Sequence, residues 1–269
     1  MPGRSKMNHD QRNHYDWIEM STNILKFLTL SVALLLGAAG AVHADAISRI
    51  GYAYDKQTGE MLYSETHQEV VRNGRIVENK VIYKDRRGKV FAEKHIDFGR
   101  SPTMPDFYLV NVDNGHLEGV RGNDGHLLVH FRSESGANVR EASVAMPENG
   151  IIDAGFDRFI EQNWSSLVRG DVLEREFLIP SQLDFYTFEI STAETRPPGE
   201  VVFRLQIKSM LLQMFVAPVL VHYDAESRTL LRYEGVSNIR DGEGRNYDVR
   251  IVFPQGHLGS VQSQSRPMS

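Results

Sequence analysis

The chain of 269 residues contains no cysteine. This absence excludes disulfide bonds, a thiolate nucleophile and any anchor attached through a lipid-modified cysteine. A folded domain in this chain therefore has to be stabilised by its hydrophobic core alone.

The sequence also lacks a basic excess and the short motifs of common active sites. It has 30 Lys and Arg against 35 Asp and Glu, a net charge of −5, whereas nucleic-acid binding calls for a clustered basic face. The segment "GVSNI" (235–239) lacks the last glycine of a nucleophile elbow. "DGEGRN" (241–246) has the glycines of a hairpin tip and not those of a phosphate loop. We therefore predict no nucleic-acid partner, no cofactor and no catalytic residues.

One long hydrophobic run stands near the N-terminus, "FLTLSVALLLGAAGAV" (27–42), after Lys26. Small residues at Val42 and Ala44 complete the pattern of a secretory signal peptide that is cleaved after Ala44. The alternative is a membrane anchor, but the run would span roughly 24 Å as a helix, less than the ~30 Å of a bilayer core. We expect a periplasmic or secreted protein without a permanent membrane anchor.

The predicted domain organisation follows from this segment. Residues 1–44 form an N-terminal extension and signal peptide, and the true start is either Met1 or Met20. Residues 45–254 form a single β-rich domain. Residues 255–269 lack a core pattern and are predicted to be a disordered tail.

Most of the predicted domain shows the alternation of antiparallel strands, as in "VVFRLQI" (201–207) and "YDVRIVF" (247–253). Asn73-Gly74 predicts a type I′ hairpin turn that pairs His67 with Lys80. In that register Glu65, His67 and Glu69 form a solvated charge ladder on the outer face, with no metal bound. His126 and His130 on a strand lie ~13 Å apart, too far to share an ion.

A single segment has helical periodicity. Asp153 is predicted to cap its start, Gly170 to end it, and Asp157 and Glu161 to lie on its solvated face. The apolar stripe of period 3.6 consists of Phe156, Phe159, Ile160, Trp164, Leu167 and Val168. We predict a mainly β (α+β) fold: a large curved antiparallel sheet or open barrel, with this amphipathic helix (about 153–169) packed on its concave side.

The run "VHYDAESRTLLRYEGVSNI" (221–239) resembles a late strand–turn–strand unit of bacterial secreted or envelope proteins of unknown function. The predicted architecture is also similar to the periplasmic lipoprotein carriers, in which a curved half-barrel covered by helices holds acyl chains. The resemblance implies a soluble carrier in the cell envelope and assigns no functional residue.

The leading functional prediction is a soluble periplasmic protein that holds a lipid or acyl chain in an apolar cavity. An envelope module that binds a protein partner or has a structural role, without a small ligand, is the alternative, and a hydrolase-like enzyme ranks third. The predicted lining residues are Phe156, Phe159, Trp164, Phe185, Phe188 and Phe203.

Signal-peptide cleavage can be tested on the secreted product. We expect N-terminal sequencing of the protein purified from its periplasm to begin at Asp45, because the small residues at Val42 and Ala44 fit the signal peptidase. A membrane-bound product that begins at Met1 or Met20 would contradict the prediction.

Overall fold

The computed structural model describes residues 45–214, 216–255 and 259–260, so the predicted signal peptide and most of the predicted tail lie outside the described residues. The described residues form one large sheet, two 3₁₀ turns (Asp153–Gly155 and Pro180–Gln182) and two helices, α1 (Phe156–Val168) and α2 (Met210–Gln213). The strands are β1 (Asp45–Asp55), β2 (Met61–Arg72), β3 (Arg75–Asp85), β4 (Val90–Asp97), β5 (Asp106–Asn111), β6 (Leu117–Asn123), β7 (His126–Arg132), β8 (Arg140–Ala145), β9 (Gly150–Ile151), β10 (Leu173–Ile179), β11 (Asp184–Thr192), β12 (Glu200–Ile207), β13 (Val219–Asp224), β14 (Leu230–Arg240), β15 (Asn246–Val252) and β16 (Gly259–Ser260).

The strand order is β8-β7-β6-β5-β4-β3-β2-β1-β15-β14-β13-β12-β11-β10-β9, with β16 beside β1. All neighbours are antiparallel except β9 and β10. Strand β1 joins the two halves of the sheet, since it pairs with both β2 and β15. The sheet is not closed, because β8 and β9 at its two ends do not pair with each other.

The two ends of the sheet overlap. Phe177 of β10 packs edge-on against Phe156 of α1, whereas the next residue, Leu178, points the opposite way and is buried in the same core cluster as Leu127 and Val129 of β7. The turn between β10 and β11 contacts β6 and β7, and Arg140 donates a hydrogen bond to the Ser181 carbonyl at 2.6 Å. The sheet is therefore rolled into an open barrel whose β10 end lies inside its β7–β8 end.

The predicted fold class is confirmed: the protein is mainly β, and α1 lies on the concave side of the sheet. Trp164 makes edge-to-face contacts with Phe203 and Tyr223, at centroid distances of 5.2 and 5.7 Å. Gly170 follows the helix with φ +101°, as predicted for its stop. Val168, predicted to belong to the buried stripe, is instead exposed at the last position of the helix.

The predicted register of the first hairpin is wrong beyond its turn. Asn73 and Gly74 have the positive φ values of the predicted turn, but a bulge between Val70 and Val71 shifts the remaining pairs by one residue. His67 therefore lies opposite Val81 instead of Lys80. One extra residue in a strand inverts its faces relative to the partner strand.

This inversion places Glu65, His67 and Glu69 on the inner face, in contrast to the predicted outer charge ladder. They share that face with Val81 and Tyr83, both of which belong to the apolar core. Both glutamates are buried, each with 7% of its surface exposed.

The buried face of α1 can be tested with two neighbouring substitutions. Trp164→Ala should lower the free energy of unfolding by about 3–5 kcal/mol, because it leaves a cavity between the helix and β12 and β13. Ser165→Ala, at an exposed position, should change it by less than about 0.5 kcal/mol. Equal denaturant midpoints for the two variants would contradict this packing.

Candidate functional site

The polar face of α1 points across the interior of the barrel and not into bulk solvent. Asp157 was predicted to be solvated, but its carboxylate accepts a hydrogen bond from the Tyr223 hydroxyl at 2.7 Å and pairs with Arg49 of β1 at 3.4 Å. The prediction was wrong because α1 lies inside the rolled sheet, so that strands face its polar side as well as its apolar side. We use the term lumen for the interior region where this polar helix face meets the inner faces of β1–β4 and β6.

The lumen contains a set of ionisable side chains that we call the lumenal cluster. Six are carboxylates, three are cationic and one is a histidine, so acidic groups predominate. They come from β1, β2, β4, β6, the first 3₁₀ turn and α1. The members are Arg49, Glu65, His67, Glu69, Lys94, Glu118, Asp153, Asp157, Arg158 and Glu161.

Arg49 is the centre of one half of the cluster. Its guanidinium lies 3.5 Å from Glu69 and 5.3 Å from the centroid of the Phe253 ring. Burial alone would lower the pKa of Arg49, but the charges of Asp157, Glu69 and Glu65 outweigh burial and raise it. The pKa of Asp157 is lowered: burial opposes ionisation, and Arg49 and Tyr223 more than compensate for it. Both groups are therefore charged at neutral pH.

The tautomer of His67 follows from its two partners. The amide nitrogen Nδ2 of Asn79 lies 3.2 Å from Nδ1 of His67 and donates to it, so Nδ1 carries no hydrogen. The other ring nitrogen, Nε2, then donates to Glu65 at 3.0 Å. Asn79 thus favours the orientation in which Nε2 of the imidazole donates to the Glu65 carboxylate.

Lys94 and Asp153 lie in the second half of the cluster. The Lys94 ammonium is 2.5 Å from the Asp153 carboxylate and 5.0 Å from the centroid of the Phe107 ring. Asp153 was predicted to cap α1, but Gly155 occupies the N-cap position and no side chain caps the helix. The carboxylate of Asp153 binds the lysine because the 3₁₀ turn directs it toward the sheet.

Glu118 of β6 lies on the floor of the lumen. Its carboxylate accepts a hydrogen bond from Asn238 Nδ2 at 3.0 Å, and the same amide nitrogen is 3.5 Å from Asp153. Burial raises the pKa of Glu118 to about 7, although the charge of Lys94 opposes the shift. Burial also lowers the pKa of His116 to about 4, so this neighbour, 3.8 Å away, stays neutral.

The solvent exposure of the charged side chains decreases from the rim of the lumen to its floor. The side chains of Asp153 and Glu161 are 53% and 52% exposed, whereas those of Lys94 and Glu118 are 7% and 8% exposed. Solvent therefore reaches the rim, while the floor is an environment in which charges interact strongly.

The structure places the six predicted lining residues in two regions. Five of them, Phe156, Phe159, Trp164, Phe188 and Phe203, share one buried cluster between α1 and β10–β13. Phe185 lies on the opposite face of β11 from Phe188 and lines an open hollow of about 410 Å³. Whether any of the six touches a ligand stays a prediction.

Two further features concern metals and membranes. Among the described residues, no group of three or more metal-ligating side chains is close enough together to hold an ion. His126 is exposed, and His130 pairs with Glu141 at 3.0 Å on the outer wall. In the same described part of the chain, no helix is long and apolar enough to cross a bilayer.

A comparison with known proteins gives a similarity in fold. The crystal structure of a beta-barrel-like protein of Domain of Unknown Function DUF1849 from Brucella abortus is 8% identical and covers 80% of this chain and 98% of that chain, with a TM-score of 0.39. No protein-family model and no curated protein matches the chain. The resemblance to envelope proteins and lipoprotein carriers stays a prediction.

The raised pKa of Glu118 predicts a pH dependence of stability. The folded state binds this proton more tightly than the unfolded chain, in which glutamic acid titrates near 4.3. The contribution of this bound proton to the stability of the folded state is complete below about pH 4 and is lost as the pH rises to about 7. The glutamine of Glu118→Gln is neutral at both pH values. The free energy of unfolding of this variant relative to the parent should therefore be ~3 kcal/mol higher at pH 8 than at pH 4.

Urea unfolding of both proteins at the two pH values measures this difference. Glu148→Gln, at an exposed position, is the matched control and should show no such gain. A Glu118→Gln variant that parallels the parent at both pH values would contradict the buried, proton-binding state of Glu118.

Proposed function

We propose that this chain is a soluble binding protein of the cell envelope that takes a small, positively charged organic ligand into the lumenal cluster. The observation that carries the proposal is the excess of inward-facing carboxylates over cations, with a half-exposed rim at Asp153 and Glu161. Carboxylates that face a lumen instead of bulk water are poorly solvated, and a cationic ligand stabilises their charged forms.

Lys94 indicates the chemistry by which an ammonium group binds in this lumen. Its Nζ lies between the Asp153 carboxylate and the face of the Phe107 ring. A carboxylate combined with an aromatic face is a recurring site for alkylammonium groups. The guanidinium of Arg49 lies over the buried Phe253 ring in a second contact of the same kind. These contacts support an amine or guanidine ligand.

The acyl ligand predicted from the sequence has its support in the aromatic cluster on the other side of α1. There, however, the rings fill the space by contacting one another: Phe203 touches both Trp164 and Tyr223, and Phe177 touches Phe188. The polar lumen offers a cation more partners than that cluster offers an acyl chain. The envelope location rests on the predicted signal peptide.

Isothermal titration calorimetry with a triamine, spermidine, tests the proposal on the purified protein. We expect binding that weakens with added salt, because the ligand meets charges at an exposed rim. Citrate, an anion of similar size, should not bind. Displacement of a fluorescent fatty acid from the same preparation tests the acyl ligand in parallel.

Glu161→Gln is the diagnostic variant, because Glu161 lies at the rim, where it pairs with Arg158 at 2.8 Å, and its loss leaves the buried part of the cluster intact. Its affinity for spermidine should fall roughly 5–10-fold, as expected for one charge contact of ~1 kcal/mol or slightly more. Glu148→Gln, on the outer surface, should bind like the parent. Fatty-acid binding without amine binding would contradict the proposal and favour the acyl carrier, and binding of neither would favour the interaction module.

A further inference from the structure

The connection between β12 and β13 carries an exposed apolar surface. Its described residues, 209–214 and 216–218, which we call the β12–β13 tip, include no charged residue. Met210, Leu211, Met214 and Val216 have 84%, 69%, 77% and 40% of their surface exposed. The first three are the most exposed large apolar side chains among the described residues. Single exposed apolar residues are ordinary, but four within seven positions form an apolar patch of the size that is often functional.

The tip holds these side chains outward through its own internal contacts. The side-chain amide of Gln213 donates to the Ile207 carbonyl at 2.8 Å, and the backbone N–H of Val216 donates to the Leu212 carbonyl at 2.9 Å. Leu212 packs against the aromatic core cluster beneath. One leucine thus anchors the segment while its neighbours project, so their exposure is a property of the fold.

The base of the tip is charged and acidic. Lys208 pairs with Glu174 at 2.6 Å, and Glu189 lies close enough to raise the pKa of that lysine further, after the hydrogen bond with Glu174. Glu176 lines the hollow beside Lys208. One lysine therefore stands among three glutamates, which disfavours a negatively charged partner surface.

We propose that the β12–β13 tip inserts into the surface of a bilayer of neutral, zwitterionic lipid and holds the protein there reversibly. Four side chains present on the order of 400 Å² of apolar surface, about half of the ~800 Å² per partner that a stable protein interface needs. In a lipid bilayer, each apolar side chain that leaves water contributes to the binding free energy and needs no complementary protein surface. The acidic base limits insertion to the tip and selects against anionic lipid.

Co-sedimentation with phosphatidylcholine vesicles tests this surface. The parent protein should bind, and replacing a third of the lipid with phosphatidylglycerol should weaken binding. Met210→Ser combined with Met214→Ser should weaken binding at least ~10-fold, because two exposed apolar side chains are lost. The pair Val112→Ser and Val139→Ser, two exposed valines elsewhere, is the matched control and should leave binding unchanged.

All three proteins share the same N-terminus, so a contribution from the N-terminal apolar segment is common to them and cancels in the comparison. The thermal midpoints should also agree, since every substituted side chain is solvent-exposed. Equal binding of the parent and the Met210/Met214 variant would overturn the proposal, as would stronger binding to anionic vesicles. A dimer of the parent that the methionine substitutions dissociate would overturn it in favour of contact between two copies.

Discussion

The contact between Arg49 and Asp157 ties the helix to the opposite wall of the barrel, and the polar half of the structure depends on it. A helix on the outside of a sheet needs partners for one face only. Helix α1 lies inside a rolled sheet, so its polar face also meets protein. Asp157 meets that requirement with a guanidinium from β1 and a hydroxyl from β13, which lie on either side of β15 and β14 in the sheet.

The helix therefore divides the interior into two environments. On one side, Trp164 and its aromatic neighbours pack against β10–β13 and contribute the hydrophobic stabilisation that a chain without disulfides needs. On the other side, the same helix supplies Asp157 and Glu161 to a lumen that β1, β2, β4 and β6 line with further charges. Apolar clusters on both sides of the helix stabilise the fold, and the lumenal cluster is the basis of the binding that we propose.

Local patterns in the sequence predicted the strands and the helix, whereas long-range pairing determined which residues of each element face the interior. The stripe from Phe156 to Leu167 predicted both the helix and its buried side, because a period of 3.6 needs no partner to be recognised. The bulge at Val70 and Val71 has no such local signal, and it reversed the assignment of Glu65, His67 and Glu69. Asp157 looked solvated because nothing in the sequence places Arg49, 108 residues away, beside it.

A double-mutant cycle on Arg49→Gln and Asp157→Asn measures the central claim most directly. If the polar helix face meets the wall of the lumen, the two substitutions are coupled, and the unfolding free energies should deviate from additivity by about 1–3 kcal/mol. If that face is solvated, the two effects should add to within about 0.5 kcal/mol. Additivity would remove the basis for a polar lumen, and with it the proposed binding site.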